Sequence, residues 1–301
     1  MQVFTKQQLN ALDSGKAIRE KFKNNVILAA SGNYSRMLKK HFYWSSMPGL
    51  VKTTTIKNAL EASGIKFYII SGKKSMRDFG YQLALIVANH NKEDGPVLIF
   101  IDDCEFLFTT NDNMNIFKNV IGKMRSFTYA NNSALDGAKK LPKPIFNAVM
   151  KYRMKDAEGF SIPTDGVHFL IASNVKLPSE EEAAERQAKR PGPSAELMVS
   201  KAAIADRMNT HHIDFERWED QWGYVASLIM ENPFFGEEEP IEFSEEERTQ
   251  MVLWTWQNFD KLKSRSVRSY EGLAQEMLMY PDEYLDIWNS SKYLDISFNK
   301  R

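Results

Sequence analysis

Residues 97–103 read Val-Leu-Ile-Phe-Ile-Asp-Asp, an apolar run closed by two carboxylates. An amphipathic helix or a half-solvated strand would interrupt such a run with polar side chains. An uninterrupted run belongs to a strand covered on both faces, as in a parallel sheet layered with helices. Three more stretches have this character: 41–44 (HFYW), 66–71 (KFYIIS) and 167–174 (VHFLIASN). A fifth, 213–215 (IDF), is a shorter candidate.

Helical patterns separate these strands. TTTIKNALEASG is closed by Gly64, and residues 76–90 carry Phe79, Leu83, Ile86 and Val87 at helical spacing. Residues 114–127 continue that spacing, and 1–24 form a polar helix with Leu9, Leu12 and Ile18 as sparse apolar contacts, followed by a short apolar run at 25–30. Beyond 215 the alternation stops: helices at about 217–231, 244–263 and 267–279 follow one another without a strand. The expected fold class is α/β, a parallel sheet flanked by helices and followed by a small all-α lid. The expected domains are 1–215, including the N-terminal helix, and 216–301. Residues 128–166 and 178–197 read as insertions, the second as a mobile, charged and then proline-rich loop. The acidic run at 237–247 reads as a solvated face or loop.

Composition narrows the classes. With 43% hydrophobic and 26% charged residues, a chain of this length can bury a core without staples. Cys104 is the single cysteine, which excludes an internal disulfide framework. No apolar run approaches the roughly 18 residues of a membrane span, and the first residues lack a signal-peptide core. The expectation is a cytoplasmic protein without membrane attachment. Formal net charge is zero, so any grip on a phosphate backbone has to come from local clusters.

Residues 46–53 read Ser46-Met47-Pro48-Gly49-Leu50-Val51-Lys52-Thr53, between an apolar strand and a helix. A phosphate-binding loop of this kind surrounds phosphates with backbone N–H groups at a helix N-terminus. Its lysine reaches the terminal phosphates and its Ser/Thr hydroxyl ligates Mg²⁺. Pro48, Gly49, Leu50, Val51, Lys52, Thr53 and Thr54 are therefore the expected nucleotide-binding residues, with ATP as ligand. Against the pattern G-x-x-x-x-G-K-[ST], Ser46 and Val51 replace the two glycines. A β-branched residue disfavours the backbone shape that the second glycine often adopts. A chance Pro-Gly turn remains the plain alternative. About 50 residues later the carboxylate strand supplies Asp102, expected to hold the Mg²⁺ with Thr53, and Asp103, expected to polarise the attacking water. That strand is expected beside the phosphate-loop strand. Glu105 could assist Asp103.

In this order the elements resemble the AAA+ ATPases, over about residues 26–280. PGLVKT resembles their Walker A motif and LIFIDD their Walker B motif. HFLIASN is similar to their sensor 1 strand, whose terminal polar residue, here Asn174, orients the water. Arg207, in Ala205-Asp206-Arg207-Met208, stands where the family keeps its arginine finger, with Arg186 and Arg190 as rivals. Arg268, in Ser266-Val267-Arg268, is similar to the sensor 2 arginine; a lid salt bridge is the other reading. The divergent motifs and the tryptophans at 254, 256 and 288 resemble AAA+ ATPases of tailed bacteriophages. The resemblance implies a homo-oligomeric ring, often a hexamer, with Arg207 acting on a neighbour's nucleotide. It also implies substrate-gripping loops, of which 72–77 (Gly-Lys-Lys-Ser-Met-Arg) would be one. Residues 123–155 hold Lys123, Arg125, Lys139, Lys140, Lys143, Lys151, Arg153 and Lys155 against Asp136, with Phe127, Tyr129, Phe146 and Tyr152 interleaved. Cations and aromatics together suit DNA or RNA; a basic surface over core aromatics is the alternative. The expected activity is hydrolysis of ATP to remodel or move nucleic acid or a nucleoprotein complex. The competing readings are a structural or regulatory subunit with little or no turnover and a P-loop kinase, for which no acceptor site is recognisable.

Overall fold

The computed structural model describes residues 4–72, 74–103, 105–131, 133–155, 158–232, 234–235 and 241–295. Cys104, Lys73 and the start of the acidic run lie outside them. The chain divides into two compact units: residues 26–46 with 53–212, and residues 1–25 and 47–52 with 213–301.

The first unit is α/β. In chain order its elements include β1 (Phe42–Ser46), α2 (Lys52–Ser63), β2 (Phe67–Ile70), α3 (Met76–Asn89), β3 (Val97–Asp102) and α4 (Asn111–Ile121), after α1 (Lys6–Ala30), which begins in the other unit. Then come β4 (Ser126–Tyr129), α5 (Ser133–Lys139), α6 (Lys143–Lys151), β5 (Phe160–Pro163), β6 (Val167–Ser173), α7 (Glu180–Lys189), α8 (Pro193–Ala205) and β7 (Asn209–Ile213). Five strands form one sheet in the order β2-β3-β6-β1-β7, and the β2–β3, β3–β6 and β6–β1 pairs are parallel. The α/β class with a parallel, helix-flanked sheet is thus observed. β1 and β6 are buried along their whole length, including the polar Ser45, Ser46, His168 and Ser173 among their apolar residues. The core gathers Ile99, Ile101, Phe169 and Ile171 from the sheet with Phe79, Leu83 and Phe117 from the helices.

The sheet overturns one expectation. The carboxylate strand β3 is not beside β1; β6 lies between them. Register pairs Asp102 with Ala172, and Ser173 with Ser45. The C-terminal ends of the three strands are therefore level, with the end of β6 in the middle.

Several local readings also change. Residues 25–30 continue α1 instead of forming a separate apolar segment. The helix read at 114–127 stops at Ile121, and Ser126–Tyr129 pairs antiparallel with Phe160–Pro163 as a separate ribbon. The last strand of the five-stranded sheet runs Asn209–Ile213, earlier than 213–215. The stretch 178–197, read as a mobile loop, holds all of α7 and the start of α8. Ser179 and Glu182 form a reciprocal capping box at the start of α7, and Pro193 stands in the first turn of α8.

The second unit contains α9 (Trp218–Glu231), α10 (Glu245–Asn258), α11 (Val267–Met279) and α12 (Tyr284–Trp288), but it is not all-α as expected: between α9 and α10, β8 (Phe234–Phe235) pairs antiparallel with β9 (Ile241–Glu242). Glu245–Glu247 form the capped first turn of α10, where carboxylates favour the helix dipole. Three of its tryptophans, Trp222, Trp254 and Trp288, are buried with satisfied N–H groups. Trp222 donates to Thr255 at 3.2 Å, Trp254 to Asn289 at 3.1 Å and Trp288 to the Leu273 carbonyl at 3.2 Å. Residues 1–25, expected within the sheet domain, group with these helices. Gly15 of α1 meets the backbone of Gly223 in α9 so closely that a Cβ on either would overlap the other helix. Among the described residues no helix is long and apolar enough to cross a membrane.

Because two backbones meet at Gly15, no side chain can move aside. Gly15→Ala is expected to destabilise the protein by at least about 3 kcal/mol, although alanine alone would favour the helix by about 1 kcal/mol. Urea unfolding measures this; a neutral substitution would refute the close crossing.

Candidate functional site

The site begins where β1 leaves the sheet. Residues 47–51 form a turn, and α2 starts at Lys52. Gly49 has φ +78°, and Val51 has φ +50°. Val51 stands where the phosphate-loop pattern has its second glycine, so the left-handed shape persists without the residue that adopts it freely. A β-branched side chain there is a conformational outlier. Gly49 meets a second demand: the Val267 N–H donates to its carbonyl at 3.1 Å, and a Cβ on Gly49 would collide with the Ser266 side chain. The Leu50 carbonyl accepts from the buried Tyr224 hydroxyl at 3.4 Å. The lysine is folded back on its own turn: Lys52 is buried, and its Nζ donates to the Met47 carbonyl at 3.2 Å. Pro48 and Thr54 are exposed.

Thr53, in the first turn of α2, faces the end of β3. Its Oγ1 lies 3.0 Å from each carboxylate oxygen of Asp102. The Asp102 carboxyl is pushed above the usual carboxylate range. Burial is the main cause and the Asp103 charge adds to it, while the Thr53 hydrogen bond and Lys57 act the other way. A partly desolvated carboxylate with a hydroxyl beside it offers hard oxygen donors to a small divalent cation. Mg²⁺ characteristically takes one or two such protein ligands and completes its shell with phosphate and water. The donor chemistry therefore fits that ion.

Asp103 follows with φ +53° and is exposed. Asn174 leaves the end of β6, and its backbone N–H donates to Glu105 at 3.4 Å. Glu105, Asp102, Asp103 and Asn174 thus share the C-terminal edge of the sheet.

The two arginines lie elsewhere in their units. Arg268 is exposed on the first turn of α11, next to the Val267 that bonds the Gly49 carbonyl. Arg207 follows α8 and donates to the Ala203 carbonyl. It lies near Gly122 and just before β7, where the Asn209 N–H bonds the His41 carbonyl. That is the N-terminal edge of the sheet, away from Asp102. Arg207 is not assembled with Asp102 or Asp103 of its own chain. Of its rivals, Arg186 and Arg190 lie at the end of α7 rather than in a loop.

The expected nucleic-acid segments are less loop-like than the sequence implied. Ser75 caps α3, accepting from the Asp78 N–H at 3.1 Å, and Met76 enters the core. Within 123–155, Phe127 is fully buried, and Tyr129, Phe146 and Tyr152 pack on the core. These aromatics therefore support the interior, as the alternative reading had it.

No protein-family model and no curated protein matches the sequence.

Two outcomes follow. Val51→Gly should be more stable than Val51→Ala by about 1 kcal/mol in urea unfolding, because only glycine relieves the left-handed strain; equal stabilities would remove the strain. Asp102 in the folded chain binds its proton more readily than an unfolded carboxyl. Its ionisation therefore opposes folding, and its contribution to stability falls as pH rises through the raised pKa. Asp102→Asn should accordingly stabilise the ligand-free protein at neutral pH, with the gain shrinking towards about pH 4. Thermal melts across pH check the sign, and a loss of stability at neutral pH would contradict it.

Proposed function

We propose that this chain is an ATPase of AAA+ type, which binds ATP on the 47–54 turn and hydrolyses its terminal phosphate. The observation that carries the reading is the contact of Thr53 with both oxygens of Asp102. It joins the first turn of the helix after a left-handed loop to the acid end of a buried strand, a pairing that Mg²⁺–nucleotide binding requires. Lys52 leaves the Met47 carbonyl to hold the β- and γ-phosphates, and Thr53 and Asp102 hold the metal. Bound there, Mg²⁺ neutralises phosphate charge and orients the terminal phosphate for in-line attack. Asp103 polarises the attacking water, with Glu105 beside it. The insertion of β6 between β1 and β3 favours this assignment, because it sets Asn174 between the phosphate-loop strand and the acid strand. A side chain at that point can orient a water that both neighbours address.

In this reading Arg268 meets the γ-phosphate from its place beside the loop turn. Arg207, at the far edge of the sheet, serves a neighbour's nucleotide in a homo-oligomeric ring, for instance a hexamer. An arginine so placed stabilises the charge that develops in phosphoryl transfer. The work done is remodelling or movement of nucleic acid or a nucleoprotein complex, in a cytoplasm, that of the host if the chain is viral, as the resemblance to phage ATPases implies.

A second reading, a structural or regulatory subunit that binds ATP with little turnover, draws on Val51. Strain at that position lowers the stability of the very loop that must wrap the phosphates.

ATP hydrolysis by the purified chain, with and without DNA, beside Lys52→Ala, separates the two. Turnover that falls at least about 100-fold in the variant supports the ATPase. Equal inactivity of both, with ATP still bound by the wild type, favours the subunit.

A further inference from the structure

A second concave surface lies at the opposite, N-terminal edge of the sheet. It is a groove of about 860 Å³ lined by Lys39, Lys40, Lys118, Lys123, Arg125 and Arg207, with Asp206 as its single acid. Asp206 pairs with Lys39 at 3.8 Å. The Lys118 ammonium is disfavoured, chiefly by burial and then by Arg207. This concentration of cations stands out in a chain whose formal net charge is zero.

The groove also contains a mismatch of donors. His41 is 1% exposed, and burial, with His168, Arg125 and Lys40 nearby, holds its pKa down to about 3, so its ring is neutral. The Phe169 backbone N–H lies 3.2 Å from His41 Nδ1. The neutral ring has one acceptor, and the backbone N–H and the guanidinium can both only donate. The Phe169 N–H is fully buried whereas Arg125 is only partly so, so Nδ1 accepts from the backbone and the ring proton sits on Nε2. Nε2–H therefore faces the Arg125 guanidinium, 3.3 Å away, donor against donor. Neither group satisfies the other; both call for an acceptor from the groove. Arg125 is held there at φ +47°, a backbone strain of the kind that clusters at functional sites.

We infer that this groove binds the phosphate groups of a nucleic-acid backbone. One anionic oxygen accepts from both His41 Nε2–H and Arg125, and neutralises the surroundings of Lys118. The cations continue outward to Lys39, Lys40 and Lys123, farther than one phosphate needs, so the ligand is a polymer with several. Among the lining residues the one ring is buried His41, so recognition is of the backbone and not of stacked bases. The inference rests on nucleic acid being a target of this protein, and replaces the 72–77 segment with the groove as its grip.

The test is binding of a fluorescent single-stranded and a double-stranded oligonucleotide to the full chain across a salt series. The proteins are wild type, Lys118→Gln/Lys123→Gln, and Lys21→Gln/Lys23→Gln as a control that removes equal charge from exposed positions on α1. Far-UV circular dichroism and melting confirm folding, and Lys123→Gln alone, at an exposed position, serves if the pair does not fold. The groove variant is expected to bind at least about tenfold more weakly, with its log–log salt slope reduced by about two, roughly one for each phosphate left without its lysine. The α1 control should stay within about twofold of wild type. Wild-type binding that the groove substitutions leave unchanged would overturn the groove while nucleic acid remained the target. No binding of either oligonucleotide would overturn both. Inorganic tripolyphosphate that displaced the oligonucleotide at equal phosphate concentration, with affinity independent of oligonucleotide length, would make the groove a seat for a small polyphosphate and overturn the inference.

Discussion

The Thr53 hydroxyl sits between the two oxygens of a carboxylate that folding has partly removed from water. A carboxylate placed there raises the free energy of the folded chain, since its charge loses more hydration than the Thr53 hydroxyl, a backbone hydrogen bond and Lys57 restore. A fold built only for stability would have a neutral group at that position. The strands around it explain how the cost is borne: β3 is buried from Val97 to Ile101, and only its last residue emerges at the sheet edge. The apolar run fixes the strand, and the strand fixes where the acid ends up.

Backbone strain lies on both sides of this contact. Val51 and Asp103, one before the helix that carries Thr53 and one after Asp102, both take the left-handed conformation without being glycine. The third such residue, Arg125, lies in the basic groove. Aspartate tolerates this shape and valine does not, so the chain retains the geometry of a glycine loop at a conformational cost of about 1–2 kcal/mol. A loop under such strain would open more readily than one with glycine. That bears on how fast a nucleotide could be turned over rather than on whether it could be held.

Much of this architecture is legible in the sequence. The uninterrupted apolar runs locate four of the five sheet strands, and Gly64 marks the end of α2. The fifth strand is read too late, at 213–215, because Asn209–Ile213 has a polar sequence, Asn-Thr-His-His-Ile, with a burial signal only at its last residue; Asn209 is held there by a bond to the His41 carbonyl. The α7 segment reads as a loop because its charge and the following prolines outweigh a capping box at Ser179 and Glu182 that is there to be read. Strand order is not written in local sequence, so the placing of β6 between β1 and β3 comes only from the fold. The pairing of Thr53 with Asp102 follows residue by residue from the two motifs. The donor conflict at His41 does not, since it depends on a backbone N–H contributed by a strand distant in sequence.

Whether Thr53 and Asp102 serve a metal-bound nucleotide is read from calorimetric titration of ATP with and without Mg²⁺. Wild type and Asp102→Asn should be compared at one ionic strength. Mg²⁺ should tighten ATP binding to the wild type by at least about tenfold, and the substitution should remove this gain without weakening the metal-free affinity. ATP binding that is indifferent to Mg²⁺ in the wild type, or no binding under either condition, would contradict this role.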